Sequence, residues 1–80
     1  MPWIIEESDD CGVHWRPAPL TLWYWHPRVA MLDALVIIQD EWRPAKPVLD
    51  ELSAALHEES VAYYWHKGIR VVRSGRRGDG

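Results

Sequence analysis

Strand-like and helix-like spacings of apolar residues follow one another along this chain. Trp3, Ile4 and Ile5 open a short run with strand character, and Val13-His14-Trp15-Arg16 returns after Asp9-Asp10-Cys11-Gly12. Aspartate bonds its own backbone and glycine accepts positive φ, so residues 3–16 read as a hairpin. Pro17-Ala18-Pro19 ends it. Leu20 to Trp25 is a β-rich run in which Thr21, Trp23 and Trp25 share one face and Leu20, Leu22 and Tyr24 the other. Both faces are mostly apolar, which predicts a central strand covered on each side.

His26-Pro27 marks a boundary, because proline suits the first turn of a helix. From Val29 to Trp42 apolar residues recur at 31, 34, 35, 38 and 42, which is helical spacing. Asp33 and Asp40 share one stripe of this helix, and the remainder is apolar enough to predict the most buried element. The near-apolar run from Val29 to Ile38 is too short for a membrane span, which needs about 20 residues. Arg43-Pro44-Ala45-Lys46-Pro47 breaks the chain. A second helix, Pro47 to about Glu58, sets Val48, Leu49, Leu52, Ala55 and Leu56 against a polar face of Asp50, Glu51, Ser53, His57 and Glu58.

Val61 to His66 and Ile69 to Ser74 read as a second hairpin closed by Lys67-Gly68. That turn places Tyr63 opposite Val72, Tyr64 opposite Val71 and Trp65 opposite Arg70. A Trp65–Arg70 cation–π pair would contribute about 0.5–1 kcal/mol. Residues 75–80 hold three glycines and no large apolar side chain, and read as a disordered basic tail. Trp23-Tyr24-Trp25-His26 and Tyr63-Tyr64-Trp65-His66 echo each other, but their flanks differ, so they share strand composition and not ancestry by duplication. The fold class is therefore α+β, a single domain over residues 1–74. A small antiparallel sheet (N-terminal hairpin, central strand, C-terminal hairpin) packs on a two-helix hairpin.

Composition adds a size limit. Eighty residues with 48% hydrophobic types can form one core, but a domain this small buries only about 60% of its unfolded surface. Cys11 is the only cysteine, so no internal disulfide is available; with no basic or apolar leader at the N-terminus, a reducing, cytoplasmic location is expected. Trp23 and Trp25 on an open sheet face would exceed the apolar patch a monomer tolerates, which predicts a homodimer. The competing arrangement folds the N-terminal hairpin over that face, with Trp3 and Trp15 as its cover.

Charge is polarised. Residues 1–59 carry 11 acids and 4 bases, whereas residues 60–80 carry 5 bases and Asp79. Six Trp and three Tyr stand beside no Phe, so indole and phenol rings must supply both aromatic core and any aromatic binding surface. Trp, Tyr and Arg dominate protein-binding hot spots. Tyr63, Trp65, Lys67, Arg70, Arg73, Arg76 and Arg77 therefore form the candidate partner-binding set, and Trp23 and Trp25 the candidate self-association pair.

Catalytic signals are sparse. Cys11 and His14 have ligand spacing, but zinc needs four converging donors and no second pair follows, so no metal and no cofactor is expected. A Cys11 nucleophile would need a base, an orienting group and an oxyanion site. Gly12 and Gly68 are isolated, not a phosphate loop. Asp33 and Asp40 lie roughly 10 Å apart along a helix, long for a shared proton. Arg77-Gly78-Asp79 spells an integrin-recognition triplet, read as coincidence. Helix, helix and hairpin over residues 27–74 resemble part of a winged-helix DNA-binding domain with one helix missing. That resemblance implies nucleic-acid binding through the hairpin and tail, yet the acidic second helix opposes phosphate. The primary expectation is a non-enzymatic protein-binding regulator, an inhibitor or adaptor using the aromatic-basic hairpin, with no membrane partner.

Overall fold

The computed structural model describes residues 2–19 and 22–74. Its elements are β1 (Trp3–Ser8), β2 (Arg16–Pro17), α1 (Pro27–Ile37), a π-helical turn (Ile38–Trp42), α2 (Lys46–Glu59), β3 (Val61–Tyr64) and β4 (Lys67–Arg73). The four strands form one antiparallel sheet in the order β2-β1-β4-β3, an α+β fold as the hydrophobic pattern predicts. No helix among the described residues is long and apolar enough to cross a membrane. The expected tail, residues 75–80, lies outside the described residues, as do Leu20 and Thr21.

Register divides the sheet into two faces. Ile5 stands opposite Val71, and Ile69 opposite both Glu7 and Ala62. Ile5, Val71, Ile69 and Ala62 form one core cluster with Ala30, Ala34 and Ile38 of the first helical segment and Leu52 and Leu56 of α2. Both helices therefore cover the same face. α1 approaches through small side chains, Ala30 and Ala34. α2 contributes its leucines from the amphipathic pattern, with Val48, Leu49 and Ala55 partly buried beside them.

The helical segments end by backbone geometry. The Arg43 N–H reaches the Ile38 carbonyl at 3.0 Å, a five-residue span, and Arg43 leaves the helix at φ 50°. Ser60 closes α2 at φ 63°, donating to Leu56 O at 3.0 Å, while its own carbonyl accepts from Val71 N. One residue thus ends α2 and ties it to β4.

Three sequence expectations are corrected. The run from Leu20 to Trp25 is not a central strand: in its described part Tyr24 alone makes an isolated bridge to Trp3, and Leu22, Trp23 and Trp25 are exposed. Pro17 and Pro19 flank it without N–H donors. β4 takes the place beside β1, where its Ile69 and Val71 meet Ile5. The turn of the second hairpin is Trp65-His66 and not Lys67-Gly68, so Tyr64 pairs with Lys67 and Tyr63 with Gly68. That register buries Ala62 against Ile69, and Trp65 does not face Arg70. Finally, α1 is not the most buried element, because Val29, Leu32 and Val36 face solvent; β1 holds four buried residues.

Leu56→Ala, which opens a void in the shared cluster, should lower stability by about 2–5 kcal/mol in urea unfolding. Val13→Ala, at a side chain 71% exposed, should change it by less than about 0.5 kcal/mol.

Candidate functional site

The second face of the sheet has no helix. Alternation places Ile4, Glu6 and Ser8 of β1 beside Val72, Arg70 and Gly68 of β4, with Val61 and Tyr63 of β3. Glu6 and Arg70 are direct cross-strand partners. The Arg70 Nε donates to Glu6 Oε1 at 2.8 Å and Nη2 lies 2.7 Å from the same oxygen. The guanidinium also sits 4.2 Å from the centre of the Trp15 ring. Trp15 meets Tyr63 edge-on, with centroids 6.2 Å apart. The expected cover by Trp15 is present; Trp3 instead packs partly against the core, with the Arg73 guanidinium 5.3 Å over its ring.

Trp15 is delivered by a tightly bonded loop. The Ser8 hydroxyl donates to Asp10 Oδ1 at 2.7 Å and accepts from Gly12 N at 2.9 Å. Asp10 in turn accepts from His14 N at 2.9 Å and from His14 Nδ1 at 2.7 Å. The His14 backbone, the Ser8 hydroxyl and the His14 ring hold the Asp10 carboxyl well below the usual carboxylate range. Cys11 N donates to the His66 carbonyl at 2.9 Å, fastening this loop to the β3–β4 turn. Two glycines make room. A Cβ on Gly68 would lie 3.0 Å from Tyr63 Cε1 and 3.1 Å from Trp15 Cη2. One on Gly12, where φ is +86°, would lie 2.8 Å from Tyr63 Oη.

Together these residues border a groove of about 560 Å³ whose walls include Trp3, Trp15, Tyr63, Arg70, Arg73 and Ser60. Two indoles, each beneath an arginine, and one phenol line an open concavity. Such a surface can hold an apolar or aromatic side chain while offering a cation to a neighbouring carboxylate. Arg70 is already paired, whereas Arg73 is exposed and makes no ion pair among the described residues.

The sequence-derived partner set divides accordingly. Tyr63, Arg70 and Arg73 line the groove. Trp65 is 82% exposed on the turn at φ 58°, with its ring edge-on to Tyr64. Lys67 borders a different hollow, of about 100 Å³, with Glu7, Asp9, Arg16 and Glu41. Arg76 and Arg77 lie outside the described residues. Trp23 and Trp25 stand 70% and 77% exposed before α1. The Cys11 thiol is exposed and free, and no cluster of three or more His, Cys, Asp or Glu suited to a metal ion occurs among the described residues. Asp33 and Asp40 share a hollow with Glu41 and Tyr24, whose hydroxyl donates to Asp33 Oδ2 at 2.6 Å. Burial, then that bond, pushes the Tyr24 hydroxyl up to about 12.

Sequence reasoning missed Glu6 as the partner of Arg70, and missed Glu7 altogether. Glu7 follows Ile5 by two positions, so the strand period turns it toward the helices. It is buried, and its Oε2 has no hydrogen-bond partner. Burial raises its pKa, with Glu41 and Asp9 adding to the rise and Arg16 and Lys67 opposing it.

Compared with known proteins, the chain matches no family model, no curated protein and no solved structure.

The two perturbed carboxyls give stability opposite pH dependences. Glu7 has a folded pKa above its unfolded value, so its contribution is full below about pH 4 and is lost as pH rises through the folded value. Asp10, with its folded value depressed, contributes above about pH 4 and loses that contribution as pH falls. Glu7→Gln should therefore raise the midpoint of thermal unfolding at pH 7 and lose that advantage by pH 4. A variant no more stable than wild type at pH 7 would contradict the desolvated state of Glu7.

Proposed function

We propose that this protein is a non-enzymatic binding module, an adaptor or inhibitor, that captures an extended segment of a protein partner in the groove bordered by Trp15, Tyr63, Arg70, Trp3 and Arg73. One observation carries the reading: the groove walled by the Trp15–Arg70 and Trp3–Arg73 stacks and by Tyr63 of β3. Trp, Tyr and Arg are the side chains that most often dominate binding energy, and here they are held in place before any partner arrives. The Glu6 pair neutralises Arg70 and fixes it over Trp15, so Arg70 serves as a platform. Arg73 is the cation free to meet an acid. The favoured ligand is an apolar or aromatic residue followed by an acidic one in an extended chain.

Nucleic-acid binding is less well supported. α2 shows Asp50, Glu51, Glu58 and Glu59 to solvent, and one of the hairpin's bases is spent on Glu6. Phosphate-driven binding needs several uncommitted cations.

A displayed peptide library screened against the folded protein should enrich segments of this type. Their affinity should fall about tenfold or more with Arg73→Ala or Tyr63→Ala, a loss of roughly 1.4 kcal/mol each. Trp65→Ala, outside the groove, should change it by less than about threefold, below the usual hot-spot threshold. No enrichment, or enriched peptides indifferent to Arg73 and Tyr63, would overturn the reading. So would binding to single-stranded or duplex nucleic acid that is tighter than peptide binding and falls steeply with salt.

A further inference from the structure

We infer that the outer edge of β3 is a docking strand, on which an extended segment of a protein partner pairs its main chain as a fifth strand of the sheet. This rests on the peptide capture proposed for the groove and names the backbone groups that hold the segment. Bonded and non-bonded positions alternate along an antiparallel pair. In the β3–β4 ladder the Val71 N–H donates to the Ser60 carbonyl at 3.0 Å, so Ser60, Ala62 and Tyr64 are the residues whose N–H and C=O groups face β4. Val61 and Tyr63 hold the positions between them and turn both groups outward, away from β4. Neither residue's N–H or C=O has a backbone partner among the described residues. Two donors and two acceptors therefore stand in one line with a repeat of about 7 Å, the repeat of an extended main chain.

The opposite edge of the sheet is closed by its residue types. The Ala18 N–H donates to the Ile5 carbonyl at 2.9 Å, so the position of β2 that turns outward is Pro17, which has no N–H to donate. Its neighbour in the strand is the charged Arg16. Prolines and charges are the usual means of keeping other strands off an edge. β3 carries neither over Val61–Tyr64. Val61, Tyr63 and Tyr64 are β-branched or aromatic, the types that suit a paired strand.

Val61 and Tyr63 also wall the groove. A strand added to β3 sets alternate side chains on the same sheet face as theirs, about 5 Å away. One segment can then use the edge for its main chain and the groove wall for its side chains. Main-chain pairing supplies affinity, and the alternate side-chain contacts supply selectivity. A second copy of this chain fits less well. Pairing β3 with its own twin would engage four residues a side, against roughly 20–30 a side in a standard interface. A peptide segment can continue from the edge over the groove, whose volume is about 560 Å³.

The probe is the peptide most enriched when a displayed library is screened against the folded protein. It is made unmodified, and N-methylated at either of its two alternating sets of backbone nitrogens. Methylation of one set should weaken binding about tenfold or more, and of the other by less than about threefold, because only one set faces the edge. Amide hydrogen exchange followed by NMR should show the Val61 and Tyr63 N–H groups exchanging fast in the free protein. With the unmodified peptide bound they should exchange at least about tenfold more slowly. If both methylated forms bind alike, or the two amides keep their free exchange rate in the complex, β3 is not the docking strand, while peptide capture by the groove stands on its dependence on Arg73 and Tyr63. A screen that enriches no peptide removes both. Slow exchange at Val61 and Tyr63 without peptide, with a sedimentation mass near twice 9.3 kDa, would give the edge to a second copy and equally overturn the proposal.

Discussion

Two helices can dry only one face of a four-stranded sheet, and this chain spends both on the same face. The other face is closed by a side-chain stack: Glu6 holds Arg70 across the strands, and Arg70 carries Trp15 on its flat side. Guanidinium is weakly hydrated and planar, so it can lie against an indole while keeping its edge on a carboxylate. Much else follows from that stack. A Cβ at Gly68 would press on the Trp15 and Tyr63 rings that close in above it. The loop from Asp9 to Trp15 needs its Ser8 and Asp10 bonds because it must deliver Trp15 to one spot. The groove exists because this cover is narrower than a helix and leaves the sheet open beside Ser60, Val72 and Arg73.

Local signals in the sequence identify most elements. Val48, Leu49, Leu52, Ala55 and Leu56 define α2 by spacing alone, and Pro27 and the prolines at 44 and 47 bound the helices. The β1 and β3–β4 strands are legible from their β-rich composition. What misleads is the segment from Leu20 to Trp25, whose composition suits a strand while its described part makes a single bridge, Tyr24 to Trp3 at the end of β1. β4 pairs with one edge of β1, where Ile69 and Val71 join Ile5 and Ala62 in the core, and the other edge is left to β2 and the single Tyr24 bridge. The hairpin turn is missed for a related reason. Gly68 reads as a turn glycine, yet its missing side chain is used to admit two aromatic rings from elsewhere in the chain.

The candidate site is only partly visible before folding. Tyr63, Arg70 and Arg73 can be chosen by residue type, but Trp15 and Trp3 join them through tertiary contact that no spacing encodes. Trp65 and Lys67 look equivalent to their neighbours in sequence and are sent elsewhere by the two-residue shift of the turn. The structure bears on only one of the two competing expectations for the tryptophans. Trp15 supplies the internal cover over the helix-free face, while Trp23 and Trp25 stand exposed before α1. Glu7 shows the same separation of pattern from outcome: the strand period turns it inward, and only tertiary packing buries it.

The dependence of the open face on the Arg70–Trp15 stack can be measured by a double-mutant cycle in urea unfolding, with Trp15→Leu, Arg70→Met and the pair. Using a Glu6→Gln background throughout keeps an unpaired Glu6 carboxylate out of the comparison. The account predicts a coupling free energy of about 0.5–1 kcal/mol between the two positions, the range of a partly exposed cation–π pair. Additive single changes, with coupling below about 0.3 kcal/mol, would contradict it.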